Sequence, residues 1–178
     1  YASAGAPGLV KAAFQIERHH ILFPFLRERF LAHYRTSITN GATKTHLFSG
    51  IFELLQLLEK NNIAWGIVTN KVESLAKPLI GKIGLNHTGC LVAGDTTKHP
   101  KPYPDPLIEG AKRLHIAPQD CWYIGDDLRD IQAGHAAGAS AAIAAKWGYC
   151  TNPESWQSDF IAETPQQLIT LIQTTLNH

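Results

Sequence analysis

Three short stretches of the sequence gather side chains able to hold a phosphate and a divalent metal ion. Thr69-Asn70-Lys71 follows the apolar run Ile63-Ala64-Trp65-Gly66-Ile67-Val68. Lys101 lies in a proline-rich loop, Lys98-His99-Pro100-Lys101-Pro102-Tyr103-Pro104-Asp105-Pro106. Gly125-Asp126-Asp127-Leu128-Arg129-Asp130 follows Tyr123-Ile124. The Thr69 hydroxyl and the Asn70 backbone N–H suit a phosphate at the start of a helix, where the dipole favours an anion. Lys101 supplies positive charge beside a phosphate and any attacking carboxylate. Asp126 and Asp130 are hard oxygen ligands suited to Mg2+, an ion that keeps several waters and bridges to substrate phosphate. Their i, i+4 spacing brings them together at the head of a helix, and Gly125 lets the backbone approach closely.

Each residue alone has a plainer reading. Thr69 could be a helix N-cap. Lys101 could be a solvated loop residue. Asp126 or Asp127 could cap a helix, with Asp130 favouring its dipole. The combination, in order and after successive strands, is what favours chemistry.

The elements that must position these residues follow from the hydrophobic pattern. Residues 1–46 read helical, with Pro7 suited to a first turn and Leu9, Val10, Ala13 and Phe14 forming a stripe. Pro24 opens a second helical segment. From Gly50 the pattern changes. An amphipathic helix over 51–60 precedes the apolar run at 63–68, which suits a strand buried on both faces. Helices are predicted near 72–83, 104–115, 128–137 and 165–176. Strands are predicted near 90–94, 121–125, 139–144 and 159–162. Such alternation predicts an α/β fold, a Rossmann-like parallel sheet with helices on both faces and right-handed crossovers. Ligands bind such sheets at the C-terminal strand ends, where all three stretches fall.

Composition narrows the function classes. The chain has 178 residues, 44% of them apolar, enough for a real core. Its net charge of +1 with no basic cluster argues against a nucleic-acid surface. No apolar run approaches the roughly 18 residues that span a bilayer. The first residues lack a basic head followed by an apolar block, so a soluble, cytoplasmic protein is expected. Cys90, Cys121 and Cys150 form no CxxC pair and are expected to be reduced thiols. Nine histidines occur without zinc spacing. The sequence contains no methionine. A processed N-terminus, or a chain that is part of a longer product, is therefore expected.

With these residues in place, the sequence resembles the haloacid dehalogenase superfamily of aspartate-dependent phosphatases. Val68-Thr69-Asn70-Lys71 is similar to its second motif, Lys101-Pro102 to its third, and Gly125-Asp126-Asp127 through Asp130 to its fourth. Trp65 through Lys71, Gly125 through Ile131 and Lys146-Trp147-Gly148-Tyr149 resemble the phosphoglycolate phosphatase group and, within it, the N-acetylmuramic acid 6-phosphate phosphatases of bacterial cell-wall recycling. The resemblance implies a small all-helical cap over residues 1–47 and an α/β core over 48–178. The family's first motif, Asp-x-Asp-Gly-Thr, has no match, so the core is expected to lack its first strand and leave a slot in the sheet. That motif supplies the nucleophile and the general acid and base.

The resemblance further implies Mg2+ held partly by Asp126, with Asp130 orienting the metal's water shell or holding a ligand. Asp127 is a second candidate for either role. Thr69 and Asn70 would bind the phosphoryl group, and Lys101 would offset the charge of nucleophile and phosphate. The cap would close over a small phosphorylated metabolite, with Ser3, Gly5 and Arg18 facing it or packing between helices. The chain by itself is expected to be inactive. A second class remains open, a catalytically inactive phosphate- or sugar-phosphate-binding module. A nicotinamide-binding oxidoreductase ranks lower, because no Gly-x-Gly-x-x-Gly occurs.

Overall fold

The computed structural model describes residues 5–42 and 44–176. Two helices come first, α1 (Gly5–Phe14) and α2 (Phe23–Thr39). Then follow α3 (Ile51–Lys60), β1 (Ile67–Val68), α4 (Glu73–Lys82), β2 (Leu91–Val92) and α5 (Asp105–Arg113). The chain closes with β3 (Trp122–Gly125), α6 (Leu128–Ala137), β4 (Ala141–Ala145), β5 (Phe160–Ala162) and α7 (Pro165–Leu176). All paired strands are parallel. The α/β architecture expected from the sequence is therefore present. Among the described residues no helix is long and apolar enough to cross a membrane.

Helices cover both faces of the larger sheet. On one face Leu54 of α3 and Leu168, Ile169 and Ile172 of α7 pack against Ile143 and Ala162. On the other, Ile131 of α6 packs with Ala142, Ala144 and Trp156. The small residues of β4 let both layers close on it, so that Ala142 to Ala145 are almost wholly buried. Truncating the fully covered Leu168 to alanine would cost about 2–5 kcal/mol. Helix α2 lies against α4, with Leu31, Ile38 and Leu75 buried between them.

The helical front is shorter than expected. Helix α2 stops at Thr39, because Gly41 adopts a φ of 75°, outside the range a helix can continue through. Strands β1 and β2 are also shorter than the apolar runs around them. They pair only through Ile67↔Leu91 and Val68↔Val92.

The strands fall into two separate sheets, β1-β2 and β3-β4-β5. Between β1 and β3 lies an apolar cleft of about 740 Å3, lined by Leu54, Leu58, Ile63, Ile67, Trp122 and Ile124 among others.

Candidate active site

The loops after β1, β2 and β3 converge at the C-terminal ends of their strands. Thr69 continues the β1 ladder, its N–H donating to the Val92 carbonyl at 2.9 Å. Its hydroxyl oxygen accepts from the Lys71 N–H at 3.1 Å and so tightens the turn. Thr69 is not a helix cap. The first N–H of α4, that of Glu73, instead donates to the Asp95 carboxylate at 2.8 Å, from the loop after β2. Asn70 clamps two loops together. Its amide nitrogen donates to the Lys101 carbonyl, and its amide oxygen accepts from the Lys101 N–H, both at 3.1 Å.

That clamp delivers Lys101 to Asp130. Its Nζ lies 2.7 Å from Asp130 Oδ1, 3.0 Å from the Tyr123 hydroxyl and 3.1 Å from the Val68 carbonyl oxygen. The two charged side chains are 10% and 7% exposed. A buried ion pair is tolerable only where further hydrogen bonds satisfy both partners. Here they do. Asp130 Oδ2 accepts from the Asp126 and Asp127 N–H groups, both at 3.1 Å. Burial opposes the Lys101 charge, but Tyr123 and Asp130 outweigh it and hold the ammonium pKa above the ordinary lysine value. Burial pushes the Tyr123 phenol up to about 12, with Lys101 pulling the other way. Tyr123 therefore remains a neutral hydroxyl at physiological pH.

The three aspartates take different places. Asp127 is the N-cap of α6 and completes a capping box with Asp130. Its Oδ1 accepts from the Arg129 N–H at 2.9 Å and pairs with the Arg129 guanidinium at 3.1 Å. Asp126 accepts from the Tyr149 N–H through Oδ2 at 2.9 Å, and its side chain lines the cavity. Any side chain on Gly125 would run into the Asp130 carboxylate, and any on Gly148 into that of Asp126. Both glycines are thus required by the carboxylates beside them. Among the described residues no three His, Cys, Asp or Glu side chains form a metal cage. The donor set fits Mg2+ all the same, since that ion is held by one or two carboxylates with phosphate and water completing the shell.

The convergence opens into a cavity of about 410 Å3. Thr69, Asn70, Lys101, Asp126 and Asp130 line its floor, and Gly5, Arg27, Phe30 and Tyr34 line the side made by α1 and α2. Five of the six sequence-derived site residues therefore meet in one place, while Asp127 turns to the helix terminus. Gly5 faces the cavity, Arg18 is exposed and does not line it, and Ser3 lies outside the described residues. Tyr123 escaped the sequence reading because a tyrosine in an apolar strand looks like core. Arg27, Phe30, Leu31 and Tyr34 escaped it too, although their helical spacing marks one face of α2.

Comparison with known proteins places this geometry in a family. Residues 8–144 match the model of the haloacid dehalogenase-like hydrolases. The N-acetylmuramic acid 6-phosphate phosphatase of Pseudomonas putida is 37% identical over 98% of this chain and 78% of its own length. The phosphoglycolate phosphatase of Xanthomonas campestris is 44% identical over 71% of this chain and 58% of its own length. A hydrolase from Pseudomonas syringae shares the fold with a TM-score of 0.75, at 23% identity over 97% of this chain and 77% of that one. This chain belongs to the haloacid dehalogenase-like hydrolases.

Proposed function

We propose that the protein is a Mg2+-dependent phosphomonoester hydrolase acting on a small acidic phosphate ester. N-acetylmuramate 6-phosphate and 2-phosphoglycolate are the two candidate substrates. The observation that carries this reading is the buried Lys101–Asp130 pair beside Asp126 in one cavity with Thr69 and Asn70. The relatives named as phosphatases of these two substrates support it.

Thr69 and the Asn70 backbone hold the phosphoryl group. Asn70 also fixes the Lys101 backbone, so the lysine is positioned before substrate arrives. Asp126 is the metal ligand. Asp130 acts through others, fixing Lys101 and, through two backbone N–H groups, the loop that carries Asp126. Bound Mg2+ supplies neutralisation of the phosphoryl oxygens as charge builds on them. The attacking carboxylate belongs to an Asp-x-Asp-Gly-Thr strand, which this sequence does not contain. That oxygen bonds to phosphorus as the ester bond breaks, and the second Asp protonates the leaving alkoxide. Water then hydrolyses the aspartyl-phosphate. The cleft between β1 and β3 supports the view that such a strand completes the core over residues 48–178, with residues 1–47 as a cap.

The test uses the product of the whole reading frame and a generic aryl phosphomonoester, with and without Mg2+. Mg2+-dependent turnover is expected, and Asp126→Asn should remove most of it. Unchanged turnover in that variant would refute the metal assignment. No turnover in the wild-type product would favour a phosphate-binding module instead.

A further inference from the structure

Helix α2 presents Arg27, Phe30, Leu31 and Tyr34 to the cavity, one continuous face at i, i+3, i+4 and i+7. Phe30 and Tyr34 stack with centroids 6.0 Å apart and an 8° interplanar angle. Tyr34 in turn holds Lys71, whose Nζ lies 4.5 Å from the ring centroid and 3.3 Å from the hydroxyl. Arg27 stands about 10 Å along the helix from Tyr34, at the other end of the face.

The charges in the cavity are unequally matched. Lys101 is matched by Asp130, and Asp126 lines the cavity as the proposed metal ligand. Among the described residues Arg27 pairs with no carboxylate of the cavity floor, and Lys71 is held instead by the Tyr34 ring and hydroxyl. The Arg27 ion pair is with Glu28 at 2.8 Å, a side chain 71% exposed. Arg27 lines the cavity and Glu28 does not, so the pair lies at the cavity's solvent-exposed edge. An exposed pair of this kind contributes little and is readily exchanged. Arg27 lines the wall beside Phe30 and Leu31, and its guanidinium, once exchanged from the exposed Glu28, is a fork matched in shape and charge to a carboxylate.

We propose that Arg27 is the specificity-determining residue of the cap, binding the carboxylate that the substrate carries in addition to its phosphate, with Phe30 packed against the carbon body between them. The proposal rests on the reading of the substrate as an acidic phosphomonoester. Both candidates have this pattern. N-acetylmuramate 6-phosphate bears a lactyl carboxylate that N-acetylglucosamine 6-phosphate lacks, and 2-phosphoglycolate has its neutral counterpart in 2-hydroxyethyl phosphate.

The test is calorimetric binding of these two matched pairs, in EDTA without Mg2+ so that no ester turns over, to wild type, Arg27→Gln and Arg27→Lys in the product of the whole reading frame. Wild type should prefer at least one acid over its neutral partner by about 10- to 100-fold, the range of a charge-assisted hydrogen bond. Arg27→Gln should abolish that preference while the neutral ester binds as before, and Arg27→Lys should restore part of it. A preference that survives in Arg27→Gln, an equal loss for acid and neutral ester, or no preference in wild type would overturn the proposal. Turnover is measured separately. An Arg27-dependent preference in binding without product would remove the phosphatase reading and leave this inference standing.

Discussion

Lys101→Met tests whether the Lys101–Asp130 pair holds the site together. The substitution keeps most of the side-chain volume and removes the ammonium. Asp130 Oδ1 then loses its partner at 2.7 Å and retains only the Tyr123 hydroxyl at 3.4 Å. Orphaning one member of a buried pair costs about 3–5 kcal/mol. Asp130 Oδ2 keeps its two backbone donors, so the lower end applies, about 3 kcal/mol. Asp130→Asn leaves the ammonium with neutral acceptors alone, Val68 and Tyr123 among them, and should cost as much. Removing both charges at once orphans neither. The double variant should therefore be no less stable than the worse single one, a coupling of about 2–3 kcal/mol. For a chain of this size a loss of 3 kcal/mol lowers the melting midpoint by about 6–12 °C. Urea unfolding of the four proteins measures the cycle. Single losses below about 1 kcal/mol that simply add would refute the argument, since they describe a solvated pair rather than a buried one.

Tyr123→Phe reports on the same cluster through pH. The folded phenol titrates near 12, above its ordinary value of about 10, so its stabilising contribution is complete below pH 10 and declines as pH rises towards 12. Wild type should lose about 2 kcal/mol more than Tyr123→Phe across that window, read from urea midpoints; parallel profiles would count against the burial argument. The 178-residue chain alone should give no Mg2+-dependent release of phosphate from an aryl phosphomonoester, and turnover above background would mean that a residue of this chain attacks phosphorus.

Much of the floor of the site was legible in the sequence, for a local reason. In a parallel α/β sheet each βα loop starts where its strand ends, so Thr69, Lys101 and Asp126 converge once the alternation is recognised. The capping box of Asp127 and Asp130 is likewise a matter of three-residue spacing. The division of labour among the aspartates was not legible. It depends on which one meets Lys101, and on the Tyr149 N–H that turns Asp126, a contact across 23 residues. The α2 wall was hidden for the same reason. Arg27 and Tyr34 have helical spacing, but only the packing of α2 against α4 tells which face meets the cavity. Asp95 capping α4 from another loop is a further contact that no local pattern encodes.

The lysine also links the cavity to the cleft between the sheets. Thr69 and Ile67 direct their N–H groups to β2, donating to Val92 and Cys90. Backbone groups alternate sides along a strand, so those of Val68 face the other way, towards β3. The Val68 carbonyl on that open edge accepts from Lys101 Nζ. The ammonium thus stands in for a backbone donor, and its three N–H groups are committed to Asp130, Tyr123 and Val68. A parallel strand entering the cleft would offer its own N–H to Val68, which a buried carbonyl requires. One N–H of Lys101 would then be released from the backbone, while those to Asp130 and Tyr123 hold the side chain in place.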